Sequence, residues 1–263
     1  MRSLYLYNAG FVIECRLHPT EPLHYQSQFI HNISLFFKPY LISKINGKAD
    51  ACIDIVPDTQ IDSIQKKRIQ RNYTYLFQRN GYMFKTHYGI SLFQFQLIVR
   101  AILEDLLHTK EGFFIHASAV KIKNATLLFM GPSGAGKSTV VSLLQPYFPQ
   151  IADDVGIIKR EKNSYVFFQS IFKEKYDKPL HFSSSLPILG IIFLQKDSGA
   201  KLFQLTSGIK RRYMRQIWSQ SINPRIPSYI DKHIANFSFF LLKFSKSNSE
   251  NAQLKHSHYP MSV

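Results

Sequence analysis

The residues of this chain that could do chemistry cluster between Gly131 and Asp154. An apolar run, Leu127-Leu128-Phe129-Met130, breaks into Gly131-Pro132-Ser133-Gly134-Ala135-Gly136-Lys137-Ser138-Thr139. A helical apolar pattern follows at Val140, Val141, Leu143 and Leu144. The spacing is G-x-x-x-x-G-K-[ST] between a strand and a helix, which is the pattern of a phosphate-binding loop. Such a loop must bring backbone N–H groups up to a polyphosphate. Side chains therefore have to be small or absent at Gly131, Gly134 and Gly136. The helix that follows offers its free N–H groups and positive dipole end to the same anion. Lys137 supplies a point charge for the β- and γ-phosphates, and the Ser138 hydroxyl is a hard oxygen ligand for Mg2+. The expected cofactors are ATP and Mg2+, bound by Gly131 through Thr139.

Two acids come next. The short apolar stretch Gln150-Ile151-Ala152 ends in Asp153-Asp154, directly after the helix. One carboxylate can help hold Mg2+ on a triphosphate, and the other can accept a proton from an attacking hydroxyl. A neighbouring cation offsets their mutual repulsion. The residue pattern leaves open which acid takes which role. His116 lies in an expected strand from Phe113 to Lys121, beside Ala117-Ser118-Ala119. A turn at Lys123-Asn124 returns that strand into the loop, so His116 falls opposite about Gly131. Alternation then points His116, Ser118 and Val120 to one face. The catalytic candidates are Asp154, Asp153, His116 and Lys137. The metal-ligand candidates are Ser138, Asp153 and Asp154.

Three pieces in order carry a family resemblance: His116-Ala117-Ser118-Ala119-Val120, then Gly131 to Thr139, then Ile151-Ala152-Asp153-Asp154. This order resembles the catalytic core of the HPr kinase/phosphorylase family and the related nucleotide site of phosphoenolpyruvate carboxykinases. It covers roughly residues 111 to 175. The resemblance implies that Lys137 and Ser138 handle the phosphates and Mg2+, and that Asp153 looks to the metal. It implies that Asp154 is the acid/base near the acceptor hydroxyl, or a metal ligand in the carboxykinase version. His116 would support either. Ser138-Thr139-Val140 stands where HPr kinases typically have Ser-Glu-Thr, and there is no counterpart of their C-terminal Arg/Pro/Gly-rich loop, so phosphorylase activity is not expected. The closest likeness is to short, stand-alone HPr-kinase-like proteins, some of which accompany ribosomally made peptides such as lasso peptides. It implies a serine kinase acting on a peptide or small protein. HPr kinases assemble as rings, so a homo-oligomer is a further implication.

The elements that must position these residues read as follows. With 263 residues, 45% hydrophobic and 19% charged, the chain is globular and has ample core. No apolar run approaches a membrane span and no signal peptide is expected, which points to the cytoplasm. Cys15 and Cys52 are expected as reduced thiols. The net charge of +16 concerns partners, not fold. It keeps alive a nucleic-acid-associated NTPase beside the kinase and beside a non-catalytic nucleotide-binding module for a peptide.

Residues 1–110 read as a β-rich α+β module able to recognise a substrate. Its expected strands are Phe11–Leu17, Ile33–Phe37, Ala51–Ile55 and Tyr73–Phe77, with a hairpin at Asn80-Gly81 and a helix capped by Ser91. Residues 111–245 read as the P-loop core: α/β, with a mixed, largely antiparallel sheet, because hairpins flank the loop on both sides. Residues 246–263 read as a polar tail. Weaker signals are Lys173, Lys175 and Lys178, the Lys66-Lys67-Arg68 cluster, a basic helix over Gly208–Ser219, and His256 with His258 in the tail. An amphipathic core helix, with Ile209, Tyr213 and Ile217 in one stripe, explains the basic helix better than a binding role.

Overall fold

The computed structural model describes residues 2–19, 23–57, 77–172, 184–206 and 237–245. The strand residues expected at 73–76, Lys66-Lys67-Arg68, the lysines at 173, 175 and 178, the helix at 208–219 and the tail lie outside the described residues. The chain divides into two compact units. One gathers Met1–Phe114, Ile157–Lys173 and Pro179–Ser185; the other gathers Ile115–Gly156, Glu174–Lys178 and Leu186–Val263.

The first unit opens with β1 (Arg2–Asn8) and β2 (Phe11–Leu17), an antiparallel hairpin closed at Asn8↔Phe11. Helix α1 (Leu23–Phe36) follows, then β3 (Leu41–Ile42), β4 (Ala51–Val56), β5 (Gln78–Asn80), β6 (Met83–His87) and helix α2 (Leu92–His108). The sheet order is β3-β1-β2-β4-β6-β5, with β2–β4 and β4–β6 parallel. Period-two alternation in β2 buries Phe11, Ile13, Cys15 and Leu17 and leaves Val12, Glu14 and Arg16 half-buried. The buried set joins Phe29, Ile33 and Phe37, and Phe95, Ile98 and Ile102 of α2, in one core. Both cysteines are free and buried.

Two expectations for this unit change. Ile33–Phe37 belongs to α1 and the turn after it, not to a strand. Phe29, Ile33 and Phe37 recur every fourth residue and are all buried, whereas Leu35 is 63% exposed. A short apolar run fits both periods, and burial here follows the helical one. The expected hairpin at Asn80-Gly81 forms, but the strand entering it is β5, with Asn80 paired to Met83.

Ser91 caps α2 as expected. Its hydroxyl accepts from Gln94 N, and the Gln94 side chain accepts from Ser91 N, a reciprocal capping box.

The later pieces of this unit are tied in by long-range hydrogen bonds. Asn8 Nδ2 donates to Gln169 O (2.9 Å), Ile171 N to Asn8 Oδ1 (3.2 Å), and Tyr40 Oη to Ser170 O (2.7 Å). Buried Lys159 donates to Ala9 O across the β1–β2 turn.

In the second stretch of chain, β7 spans Phe113–His116, β8 Ser118–Ile122 and β9 Ala125–Met130. Helix α3 (Lys137–Leu144) and β10 (Gln150–Ala152) follow, then the hairpin β11 (Val155–Glu161) and β12 (Ser164–Gln169). The last strands are β13 (Ser185–Lys196), β14 (Lys201–Gln204) and β15 (Phe239–Phe244). Within the second unit the order is β10-β8-β9-β13-β15-β14. The loop-bearing strand β9 has antiparallel β8 on one side and parallel β13 on the other. The sheet is therefore mixed, as expected, and unlike a purely parallel P-loop sheet.

The β8–β9 register, Ile122↔Ala125 to Ser118↔Phe129, follows from the turn at Lys123-Asn124, where Lys123 takes φ +52°. The single strand expected over Phe113–Lys121 is instead broken at Ala117. There the backbone leaves the ladder and Ala117 N donates to Asp154 O at 3.1 Å. No helix among the described residues is long and apolar enough to cross a membrane.

The capping box gives a direct test. Ser91→Ala should lower stability by about 1 kcal/mol, read as a lower urea midpoint at unchanged slope. An unchanged midpoint would show that α2 does not depend on this cap.

Candidate functional site

The loop's geometry begins with β9, whose Met130 is the last residue of the ladder. The chain turns at Pro132, whose carbonyl accepts from Ala135 N at 3.0 Å. It enters α3 through Gly136, the N-cap, at φ +99°. A side chain is excluded there twice over. The backbone is left-handed, and a Cβ would stand 2.5 Å from Phe244 Cζ. At Gly131 a Cβ would meet Ala135 Cβ at 2.8 Å, so the loop closes on itself only with glycine.

The first intrahelical bond is Val140 N to Gly136 O, 2.9 Å. The N–H groups of Lys137, Ser138 and Thr139 precede it, so they belong to the helix's unpaired first turn. Val140 and Val141 anchor α3 onto Val120, Phe129, Ile192 and Leu194 of the sheet.

A cleft of about 790 Å³ opens over this turn. Of the residues expected from the sequence, it brings together Ser133 through Thr139, His116, Asp153 and Asp154. Gly131 and Pro132 do not line it. Their carbonyls instead accept from Lys137 Nζ, at 2.9 and 3.5 Å. Burial lowers the proton affinity of Lys137, and the carboxylates of Asp154 and then Asp153 work against that shift.

The two acids point to different partners. Asp153 Oδ1 lies 3.5 Å from Ser138 Oγ and 3.4 Å from Ser118 Oγ. Asp154 Oδ1 lies 2.8 Å from His116 Nδ1, a close contact without hydrogen-bond geometry. His116 is 18% exposed and Asp154 44%, so the imidazole backs a carboxylate that faces the open cleft. Buried Ser118 donates to Asp153 O at 2.6 Å and fixes the backbone at the first acid.

Several lining residues escaped the sequence reading. Lys196 and Asp197 reach the cleft from the end of β13, and Phe244 and Ser245 from the end of β15. Their place depends on parallel pairing between β9 and β13 and between β13 and β15. No local pattern signals such pairing. Ser118 stood within the quoted His-Ala-Ser motif, but only its bond to Asp153 shows what it does.

Mg2+ takes few protein ligands and fills its shell with phosphate oxygens and water. Ser138 and Asp153 are such a donor pair. Among the described residues no cluster of three or more His, Cys, Asp or Glu could hold a metal by itself. The donor set thus fits a metal carried with phosphates, not a closed structural site.

A family model described as SynChlorMet cassette protein ScmC matches residues 85–220, just over half of the chain. The chain belongs to the ScmC family. The span shared with other ScmC proteins includes His116, the phosphate-binding loop and both aspartates. No curated protein matches the chain. Among solved structures it is similar to the Hpr(Ser) kinase/phosphatase from Coxiella burnetii, at 16% identity and a TM-score of 0.28. That match covers 51% of this ScmC chain and 79% of the other.

The turn into α3 is testable without any ligand. Gly136→Ala should destabilise the chain by about 1–3 kcal/mol through its left-handed backbone, with more from the encounter with Phe244. A melting temperature equal to that of the parent would refute the turn.

Proposed function

We propose that this protein is an ATP- and Mg2+-dependent kinase that phosphorylates a serine hydroxyl of a peptide or small protein. One observation carries the reading. Lys137, Ser138, Asp153 and Asp154 meet in a single cleft, and the two acids have different neighbours. A purely binding role needs only the loop and a metal ligand, whereas hydrolysis also uses a group that positions or deprotonates water. A second carboxylate, exposed and backed by an imidazole, is what an acceptor hydroxyl requires. The order of His116, loop and paired aspartates, with its resemblance to HPr kinases, supports the same class.

When bound, ATP supplies the transferable phosphoryl group and Mg2+ neutralises charge between the phosphates. Ser138 and Asp153 are the residues that would hold the ion. The N–H groups at the start of α3 would hold phosphate oxygens, and Lys137 would be free to turn from its two carbonyl partners toward them. Asp154 would accept the proton of the acceptor serine hydroxyl, while the serine oxygen takes the phosphoryl group and the nucleoside diphosphate leaves. His116 holds Asp154 in place and shields one side of it from water.

The roles separate on mutation. Lys137→Ala should abolish nucleotide binding or turnover. Asp153→Asn should weaken Mg2+-dependent binding. Asp154→Asn should leave binding intact and lower kcat by roughly 10²–10⁴-fold. Mass spectrometry of candidate peptides after incubation with ATP and Mg2+, with nucleotide affinity measured in parallel, distinguishes these outcomes. Transfer that survives both Asp substitutions would sink the assignment. Binding by the parent protein without turnover would make it a nucleotide-binding module, and hydrolysis stimulated by nucleic acid would make it an NTPase of the third class.

A further inference from the structure

Strand β14 is an edge of the second unit's sheet. It pairs with β15 alone among the described residues, and all four of its residues are exposed. Leu202 is 58% and Phe203 44% exposed, an apolar pair on an open edge. The pairing also settles which backbone groups are free. Leu205 N donates to Phe239 O, and Lys201↔Lys243 and Phe203↔Leu241 share that parity. The N–H and C=O of Lys201 and Phe203 therefore face β15, and those of Leu202 and Gln204 face outward. An edge of this kind is a template for an added strand.

Its charge selects the strand. Lys201 stands directly opposite Lys243, a like-charge cross-strand pair. Lys243 is answered by Asp197 at 3.5 Å and also lies over the Phe203 ring. Among the described residues no carboxylate pairs with Lys201, nor with Lys196 at the cleft. The Lys201 end of β14 is also the cleft end, since Phe244 and Ser245 follow Lys243 and line the cleft. Each residue of an added strand advances about 3.3 Å. The added strand would lie four strand spacings of about 4.8 Å from β9, so its hydroxyl reaches the loop only on a segment that continues about six or more residues past Lys201 and crosses the end of the sheet.

We propose that the outer edge of β14 docks an extended acidic peptide as an added strand, its hydroxyl-bearing end directed to the cleft. The inference rests on the phosphoryl-transfer reading for the peptide's purpose, and not for its binding. Lysines on an edge discourage indiscriminate strand pairing. Here they make the edge selective for a segment with a carboxylate facing Lys201.

The test uses the full chain without nucleotide. The probe is a short fluorescein-labelled peptide of alternating Glu and Val around one Ser, and its counterpart with Lys for Glu. Fluorescence anisotropy should show the acidic peptide binding and the basic one not. Leu202→Pro removes an outward N–H and none of the bonds to β15, and should weaken binding by about fivefold to tenfold. Lys201→Glu should weaken the acidic peptide by about tenfold and create affinity for the basic one. ATP affinity should stay unchanged in both variants. Three results would each overturn the proposal. One is no binding by the parent, and another is equal binding by parent and both variants. The third is a concentration-dependent dimer that Leu202→Pro dissolves while peptide binding is absent. Peptide binding without phosphorylation would count against the kinase reading alone.

Discussion

The contact between the strand break at Ala117 and the backbone of Asp153-Asp154 is the constraint on which the site depends. Two adjacent carboxylates repel each other, and nothing in their own sequence orients them. Here Ala117 N holds the carbonyl of Asp154 and the Ser118 hydroxyl holds that of Asp153. With both carbonyls fixed, the acids reach separate partners, Ser138 and His116. A continuous β7–β8 strand would have spent the Ala117 N–H on an ordinary ladder bond. The break gives up one ladder position and yields two acids with separate environments. Strand β10 reaches the same place through its own irregularity, an offset between Gln150↔Val120 and Ala152↔Ala119.

How much of this was legible in the sequence depends on whether the cause was local. The glycine turn into α3 was legible because its constraints sit on neighbouring residues: glycines where a Cβ would clash, then a helix start. The capping box at Ser91 and Gln94 and the turn at Lys123-Asn124 were legible for the same reason. Residues Ile33–Phe37 were misread because so short a run, with four apolar residues, satisfies a strand and a helix alike; only the more distant Phe29 completes the four-residue repeat. The break at Ala117 was invisible, since its cause lies at Asp154, far along the chain. Lys196, Asp197 and Phe244 were missed because parallel pairing, unlike a hairpin, leaves no turn between the partners.

The two units differ in how they are sewn together, for similar reasons. The second is built around a local strand–loop–helix, whose apolar residues Phe129, Val140 and Val141 meet in one cluster. The first takes in Ile157–Lys173 both by apolar packing, with Ile157, Val166, Phe168 and Ile171 in its core, and by polar groups far apart in sequence. Asn8 both donates to and accepts from that segment, satisfying a buried amide on two sides. Burial lowers the proton affinity of Lys159, and its ammonium is compensated by the Ala9 carbonyl, Glu161 at 3.6 Å and the faces of Phe11 and Phe168. Composition and periodicity report apolar surfaces well. They do not report which buried polar group completes which.

Charge around the cleft bears on what it can accept. The chain carries +16 overall, yet Lys137 and Lys196 share the cleft lining with Asp153, Asp154 and Asp197. A bare triphosphate brought there meets three carboxylates against two ammonium groups. Backbone N–H groups at the helix start offset part of that repulsion. A divalent cation arriving with the phosphates would offset the remainder, and the Ser138–Asp153 pair would suit such an ion. The basic surplus therefore lies outside the cleft. A surplus of that size raises encounter rates with acidic partners well beyond the reach of single contacts. The same field would draw an acidic segment toward the lysines at the end of β14, on the side of the sheet where the cleft opens.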